Sequence, residues 1–151
     1  LEQVHMRALL EEIIKETALI DQSKQINIFC DESITCVADR QLLKQAIRII
    51  MDNAMKYSKQ DSSIFIRVNT QDNAITLSIT DEGIGISPQS IDKVFDRFYR
   101  DEQARVVKTK GAGLGLSIAK WIVQKHQGTI HIISRQDIGT KVSMTLPLLN
   151  R

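Results

Sequence analysis

Asp81-Glu-Gly-Ile-Gly-Ile86 and Gly111-Ala-Gly-Leu-Gly-Leu116 hold five of the chain's seven glycines, and a charged, aromatic-studded stretch separates them. Glycine belongs where a backbone takes positive φ or where something must approach it closely. Two such runs flanking a segment rich in Arg and Lys describe a pocket around an anion, and a nucleotide fits that description. The plainer alternative is a pair of tight turns. Against it stand the acid that opens the first run and the helix-like segment that follows the second. The common phosphate fingerprints are absent: a G-x-G-x-x-G pattern would need glycine where Pro88, Leu116 or Ile118 stands, and no G-K-[S/T] triplet occurs. The H-R-D and D-F-G triplets of eukaryotic-type protein kinases are missing too.

Outward from these runs, periodicity predicts the elements. Leu9, Leu10, Ile13, Ile14, Thr17 and Ala18 recur at helical spacing over 6–20. Gln25–Cys30 and Ser33–Ala38 read as two short strands joined by Asp31-Glu32. Asp39 is an N-cap for a helix to about Tyr57, with Leu43, Ala46, Ile47, Ile50, Met51 and Ala54 as its buried stripe. Alternating Ile64, Ile66, Val68 and Ile75, Leu77, Ile79 predict strands over 62–69 and 74–80, a sheet with one packed and one open face. Ser87-Pro88 starts a short helix to about Phe95. Leu114 to about His126 is a further helix, with Leu116, Ile118, Ala119, Ile122 and Val123 on one side. A hairpin over 128–134 and 140–146 closes the chain, turning at Asp137-Ile-Gly139. The fold class expected is α+β: a two-layer α/β sandwich in which three helices back a mixed, mostly antiparallel sheet of about five strands or more.

The 151 residues are expected to form one domain, 1–151, long enough to bury a core without disulfides or metals. Twenty basic and 18 acidic side chains leave a net charge of +2, so no global field argues for nucleic acid, and no nucleic-acid partner is expected. No apolar run approaches membrane-spanning length and residues 1–5 carry no signal-peptide pattern; the location expected is that of a cytoplasmic domain of a membrane-anchored parent. Cys30 and Cys36 lack C-x-x-C spacing and read as buried free thiols in a reducing compartment, with a disulfide bridging the hairpin as the lesser alternative.

Chemistry gathers in three places. Asn53 and Lys56 share a face at the end of the long helix, where an amide oxygen and an ammonium suit a magnesium–phosphate complex. Asp81, at a strand end, can accept a hydrogen bond from an exocyclic amine while Gly83 and Gly85 let a flat ring lie against backbone. Between the glycine runs, Arg97, Arg100, Arg105, Lys108 and Lys110 can neutralise phosphates, and Phe95 and Phe98 can anchor the segment to the core. The unpatterned stretch after Arg100 has the length of a lid. Gly111 to Gly115 then opens a helix whose first amides favour anionic oxygens.

Four stretches in order resemble the N, G1, F and G2 boxes of the catalytic, ATP-binding domain of bacterial sensor histidine kinases. They are Gln45…Asp52-Asn-Ala-Met-Lys-Tyr57, Asp81-Glu-Gly-Ile-Gly85, Val94-Phe-Asp-Arg-Phe-Tyr-Arg100 and Gly111-Ala-Gly-Leu-Gly-Leu116. Gly139-Thr140 resembles the last glycine box. The resemblance implies the Bergerat ATP fold shared with gyrase, Hsp90 and MutL, with a mobile ATP lid over 96–112. It implies ATP and Mg2+ as cofactors, Asn53 as magnesium ligand and Asp81 as acceptor for the adenine amine. Lys56, Arg100 and Arg105 match phosphate-contacting positions, and with Asn53 they form the expected catalytic set. Tyr57 matches an aromatic near the nucleotide. Gly83, Gly85 and Thr140 border the adenine pocket, Ile86 and Phe98 belong to the nucleotide-binding set, and Gly111, Ala112, Gly113, Leu114, Gly115 and Leu116 lie at the lid base.

The chain departs from the pattern at three points. Ile49 stands where many such kinases carry a second Asn and hydrolytic relatives a Glu base, so a gyrase-type hydrolysis is disfavoured. Lys110 replaces a frequent glycine. None of His5, His126 and His131 is followed by an acid, as the phosphoacceptor of this family is. The resemblance therefore implies a two-component signal-transduction domain that binds ATP and donates its γ-phosphoryl to a His on a dimerisation and phosphoacceptor hairpin outside the sequence. Residues 1–20 are expected to link to that hairpin, continuing from its second helix. A response regulator follows indirectly, the fragment is expected to be monomeric and the parent a membrane-anchored homodimer. Two alternatives stand beside this: a nucleotide-sensing or docking module of the same fold without phosphotransfer, and an anti-sigma-type serine kinase.

Overall fold

A computed structural model describes residues 1–18, 23–59, 61–85 and 115–148. The described elements run β1 (Glu2–His5), α1 (Met6–Ala18), β2 (Gln25–Phe29), β3 (Thr35–Ala38), α2 (Arg40–Tyr57), β4 (Ser63–Gln71), β5 (Ala74–Asp81), α3 (Gly115–Lys125), β6 (Thr129–Arg135) and β7 (Gly139–Pro147). Five strands form one sheet in the order β2-β4-β5-β7-β6, and β1 pairs with β3 in a separate two-stranded sheet. Only β2 and β4 run parallel among these pairs. Their connection passes through β3 and α2, the kind of crossover a parallel pair needs.

Strand alternation builds one face of the core. Ile66 pairs with Ile79, Ile79 with Val142, and Val142 with Ile132, so one apolar row crosses four strands. The next row is Val68, Leu77, Met144 and Ile130. Onto these rows the helices press Leu9, Leu10 and Ile13 of α1, Leu43, Ala46, Ile47, Ile50 and Met51 of α2, and Ala119, Ile122 and Val123 of α3. The expected two-layer arrangement is therefore present. Local chemistry sets the ends as the sequence suggests. The Asp39 carboxylate accepts from the Leu42 amide, capping α2. Asp72 and Asn73, both at positive φ, make the tight turn between β4 and β5.

Some expectations need correction. Gln25–Phe29 and Thr35–Ala38 do not pair with each other; they belong to different sheets. The Asp31 carboxylate accepts from both the amide and the hydroxyl of Ser33, turning the chain so that β3 leaves toward β1. Strand β1 was not expected, because only Val4 of its four residues is buried and so short a stretch has no visible alternation. It also bears on the linking helix expected over 1–20: α1 is entered from a strand and buries Met6, Leu9, Leu10, Ile13 and Thr17 in this core. Ile118, expected on the packed side of α3, is exposed, as is Trp121. The expected short helix from Pro88 and the expected lid over 96–112 lie outside the described residues.

Side-chain pairs fix α1 against α2. Glu12 meets Arg40 and Lys44, Glu16 meets Lys44 and Arg48, and Arg48 also reaches Asp52. The Lys44 and Arg40 hydrogen bonds hold the Glu12 carboxyl below its ordinary range. Such exposed pairs add little individually, but their alternation along both helices selects one register. At the start of α2, His126 joins two elements. Its Nε2 accepts from the Asp39 amide at 3.0 Å, which leaves the ring proton on Nδ1, 2.9 Å from the Ile122 carbonyl. Cys30 and Cys36 are free and buried, and burial pushes the Cys36 thiol up to about 11.

Ile47, with no exposed surface, sits at the centre of the helix layer, whereas Ile133 is 69% exposed on β6. Ile47→Ala lowers unfolding free energy by about 2–5 kcal/mol in urea denaturation, and Ile133→Ala changes it by less than about 0.5 kcal/mol. Equal losses would contradict this placement of the core.

Candidate nucleotide site

The core stripe of β5 ends in a carboxyl group. Ile75, Leu77, Ile79 and Asp81 alternate on the packed side, and Asp81 is only 8% exposed. Its neighbour across the ladder is Thr140, which in turn pairs with Ser134. The amides of Thr140 and Gly83 donate to the Asp81 carboxylate, yet burial outweighs them and pushes its pKa up to about 7. Its Oδ1 has no hydrogen-bond partner among the described residues. A buried carboxylate oxygen without a donor is costly, and that oxygen is where an incoming N–H group would be stabilised most.

The loop after Asp81 is held against two other elements. The Lys59 amide donates to the Glu82 carbonyl at 3.0 Å and the Ile84 amide to the Tyr57 carbonyl at 3.2 Å, so the end of α2 pairs with the loop through Ser58 and Gly83. The Asp137 amide donates to the Ile84 carbonyl at 2.7 Å, closing the loop against the β6–β7 turn. Glycine is required at both glycine positions. A Cβ on Gly83 would stand 2.2 Å from the Tyr57 carbonyl oxygen, and one on Gly85, at φ +71°, would stand 2.1 Å from that of Arg135. These glycines therefore serve close packing of backbone on backbone.

The last turn of α2 brings Asn53, Lys56 and Tyr57 to the same end of the sandwich as Asp81. Asn53 and Tyr57 are half-buried and Lys56 is exposed. Gly115 and Leu116 open α3, and a Cβ on Gly115 would come 3.2 Å from Cγ2 of Ile49. Ile49 thus packs where the two helices meet, one turn before Asn53, and puts the N-terminal end of α3 beside that face. Positive potential at a helix N-terminus favours anionic groups. The Thr140 hydroxyl lies 2.8 Å from Oγ of Ser134, which also donates to the Gly139 carbonyl.

Of the residues expected at the site, Asn53, Lys56, Tyr57, Asp81, Gly83, Gly85, Gly115, Leu116 and Thr140 have described positions at this end of the fold. Ile86, Phe98, Arg100, Arg105, Gly111, Ala112, Gly113 and Leu114 lie outside the described residues. Two participants escaped sequence reasoning. Ser58, which ends α2, is 9% exposed with its hydroxyl unpartnered among the described residues; its place right after Tyr57 was the available signal. Ser134 fixes the Thr140 hydroxyl, which only the β6–β7 register reveals. Among the described residues no group of three or more His, Cys, Asp or Glu could hold a metal. Asn53 supplies one neutral oxygen, so a hard cation here fits only if phosphate oxygens and water complete its shell.

Residues 38–150 match the family described as histidine kinase-, DNA gyrase B- and HSP90-like ATPase. The chain is 43% identical over 106 residues to the sensor protein CiaH of Streptococcus pneumoniae, a match covering 70% of this chain and 24% of that protein. It is 41% identical over 119 residues to the sensor histidine kinase WalK of Bacillus subtilis, covering 78% of this chain and 20% of that one. The chain thus spans about a quarter or less of the curated relatives it matches. Among solved structures, the mycobacterial sensor histidine kinase MprB superposes with a TM-score of 0.86 at 28% identity, over 99% of both chains. The catalytic domain of histidine kinase ThkA gives 0.81 at 23% identity over 97% of this chain and 94% of that one, a likeness of fold.

The raised Asp81 pKa sets a pH dependence. The folded protein without ligand holds this proton more tightly than the unfolded chain, whose Asp titrates at about 3.9. The stabilisation is full below that range and is lost as pH rises toward about 7, with a slope approaching about 1.4 kcal/mol per pH unit. Asp81→Asn removes this component, so the variant gains on the wild type across that window and the gap then levels. A gap in unfolding free energy that stays constant with pH would contradict a buried, protonatable Asp81.

Proposed function

The chain belongs to the histidine kinase-, DNA gyrase B- and HSP90-like ATPase family, and from that membership we propose that it is the ATP-binding catalytic domain of a bacterial two-component sensor histidine kinase. The observation that carries the reading is Asp81: a buried carboxylate with one oxygen unpartnered among the described residues, beside a glycine loop too close-packed for side chains. The exocyclic amine of adenine supplies the missing donor. Guanine presents a carbonyl oxygen there, which the carboxylate repels, so the pocket selects adenine.

With the base seated at Asp81, Gly83, Gly85 and Thr140, the phosphates extend toward Asn53, Lys56 and the start of α3. Asn53, with its neutral amide oxygen, would help to hold a magnesium ion accompanying ATP, and that ion would screen the phosphate charge. Lys56, with Arg100 and Arg105, neutralises the transferred group, so catalysis consists of positioning and charge compensation. An imidazole nitrogen of the acceptor His attacks the γ-phosphorus, the bond to the bridging β,γ-oxygen breaks, and ADP leaves. His126 is unsuited as acceptor, since both ring nitrogens face backbone partners. The acceptor belongs to a hairpin domain outside this sequence, where parent dimerisation is also placed, and a response regulator receives the phosphoryl group later. The apolar Ile49, packed at Gly115, offers no base to activate water, which favours transfer over hydrolysis. Among the described residues no helix is long and apolar enough to cross a membrane; a cytoplasmic site under a membrane-anchored parent is part of the proposal.

Calorimetry with ADP and magnesium tests the base contact. Asp81→Asn places an amide donor against the adenine amine and weakens binding by about tenfold or more, while GDP binds the wild type at least as poorly. Unchanged ADP affinity in the variant would overturn the assignment.

A further inference from the structure

Lys24 lies just ahead of β2, remote in sequence from every residue assigned to the nucleotide. Its Nζ donates to the main-chain carbonyls of Ser58, at 3.2 Å, and Lys59, at 3.0 Å. These carbonyls lie just past Tyr57, the last residue of α2, where the negative end of the helix dipole favours a cation. The same turn is held from β2 a second way, since the Gln25 amide donates to the Ser62 carbonyl at 3.1 Å and the Ser62 amide to that of Lys59 at 3.2 Å.

We propose that Lys24 is a positioning residue for the nucleotide site, clamping the end of α2 so that the loop after Asp81 is held in its binding geometry. The proposal rests on the nucleotide reading above. The connection is short. Residues 57–59 carry the groups that pair with Glu82 and Ile84, the bridge at Ser58 seats Gly83, and the Gly83 amide donates to the Asp81 carboxylate. Lys24 thereby acts on both halves of the site, the last turn of α2 with Asn53 and Lys56 and the base pocket at Asp81, without itself lining either. Its long stem reaches two adjacent carbonyls, and an Arg fork reaches the same pair. A methionine keeps the stem and loses both hydrogen bonds.

The test compares wild type, K24M and K24R by ADP calorimetry and by amide hydrogen exchange without ligand. K24M weakens ADP by about fivefold or more and K24R restores affinity to within about twofold. In K24M the amides of Lys59 and Ile84 exchange faster, whereas those of Ile132 and Met144 in the β6–β7 pairing keep their wild-type protection. A K24M with wild-type ADP affinity overturns the proposal, as does a K24R weakened as much as K24M, or an exchange increase spread over the whole sheet. Should K24M not fold, K24Q takes its place against K24R with the same expectations. A wild-type protein that binds no ADP removes the nucleotide reading and this proposal with it; retained affinity in K24M removes the proposal alone.

Discussion

The site depends on one carboxyl group that strand alternation carries into a dry layer. Asp81 occupies the next inward position after Ile75, Leu77 and Ile79, so the pleat that packs the core also desolvates the acid. Two backbone amides support it, but an oxygen without a partner among the described residues and a pKa near 7 mark a group held in a state that water would relieve. The close backbone packing at Gly83 and Gly85 keeps that layer tight. A ligand with a properly placed amine recovers a charge-assisted hydrogen bond there. The cost to the ligand-free domain and the gain on binding have the same origin.

Helix α2 couples this acid to the rest of the molecule. Its buried stripe packs on the sheet, its exposed cations bind the acids of α1, its first residue is held by the Asp39 cap and His126, and its last turn pairs with the loop after Asp81. Position along α2 therefore determines where Asn53, Lys56 and Tyr57 stand. Because Ile49 fills the space against Gly115, the spacing of α2 and α3 is also fixed at the end that would face phosphates. The chemistry is thus concentrated at one end of the helix layer, and structural ties occupy the other.

Much of this architecture was legible in the residues. Strong periodicity gave α1, α2, β4 and β5 with their buried faces, and Asp39 announced its cap because capping is local chemistry. Nine of the residues expected at a nucleotide site have described positions, and these lie toward one end of the sandwich. What escaped was non-local. Pairing of β3 with β1 rather than β2 depends on how the Asp31–Ser33 turn aims the chain, and a four-residue strand with one buried side chain leaves no pattern to read. Ile118 had the spacing of a buried residue, but α3 shows solvent a wider face than its sequence suggests. Ser58, Ser134 and Lys24 gain their places through partners 25, 6 and 34 residues distant in the chain, at Gly83, Thr140 and Ser58.

The central claim is that an adenine nucleotide occupies the space between the end of α2 and the end of β5. Titration of isotopically labelled protein with ADP and magnesium, followed by amide resonances, tests it most directly. The account predicts saturable shifts at Lys56, Tyr57, Gly83, Gly85 and Thr140, with Asp39, Gln127 and Leu146 at the far end unmoved. Shifts centred on the far end, or none at the first group under saturating ADP, would contradict it.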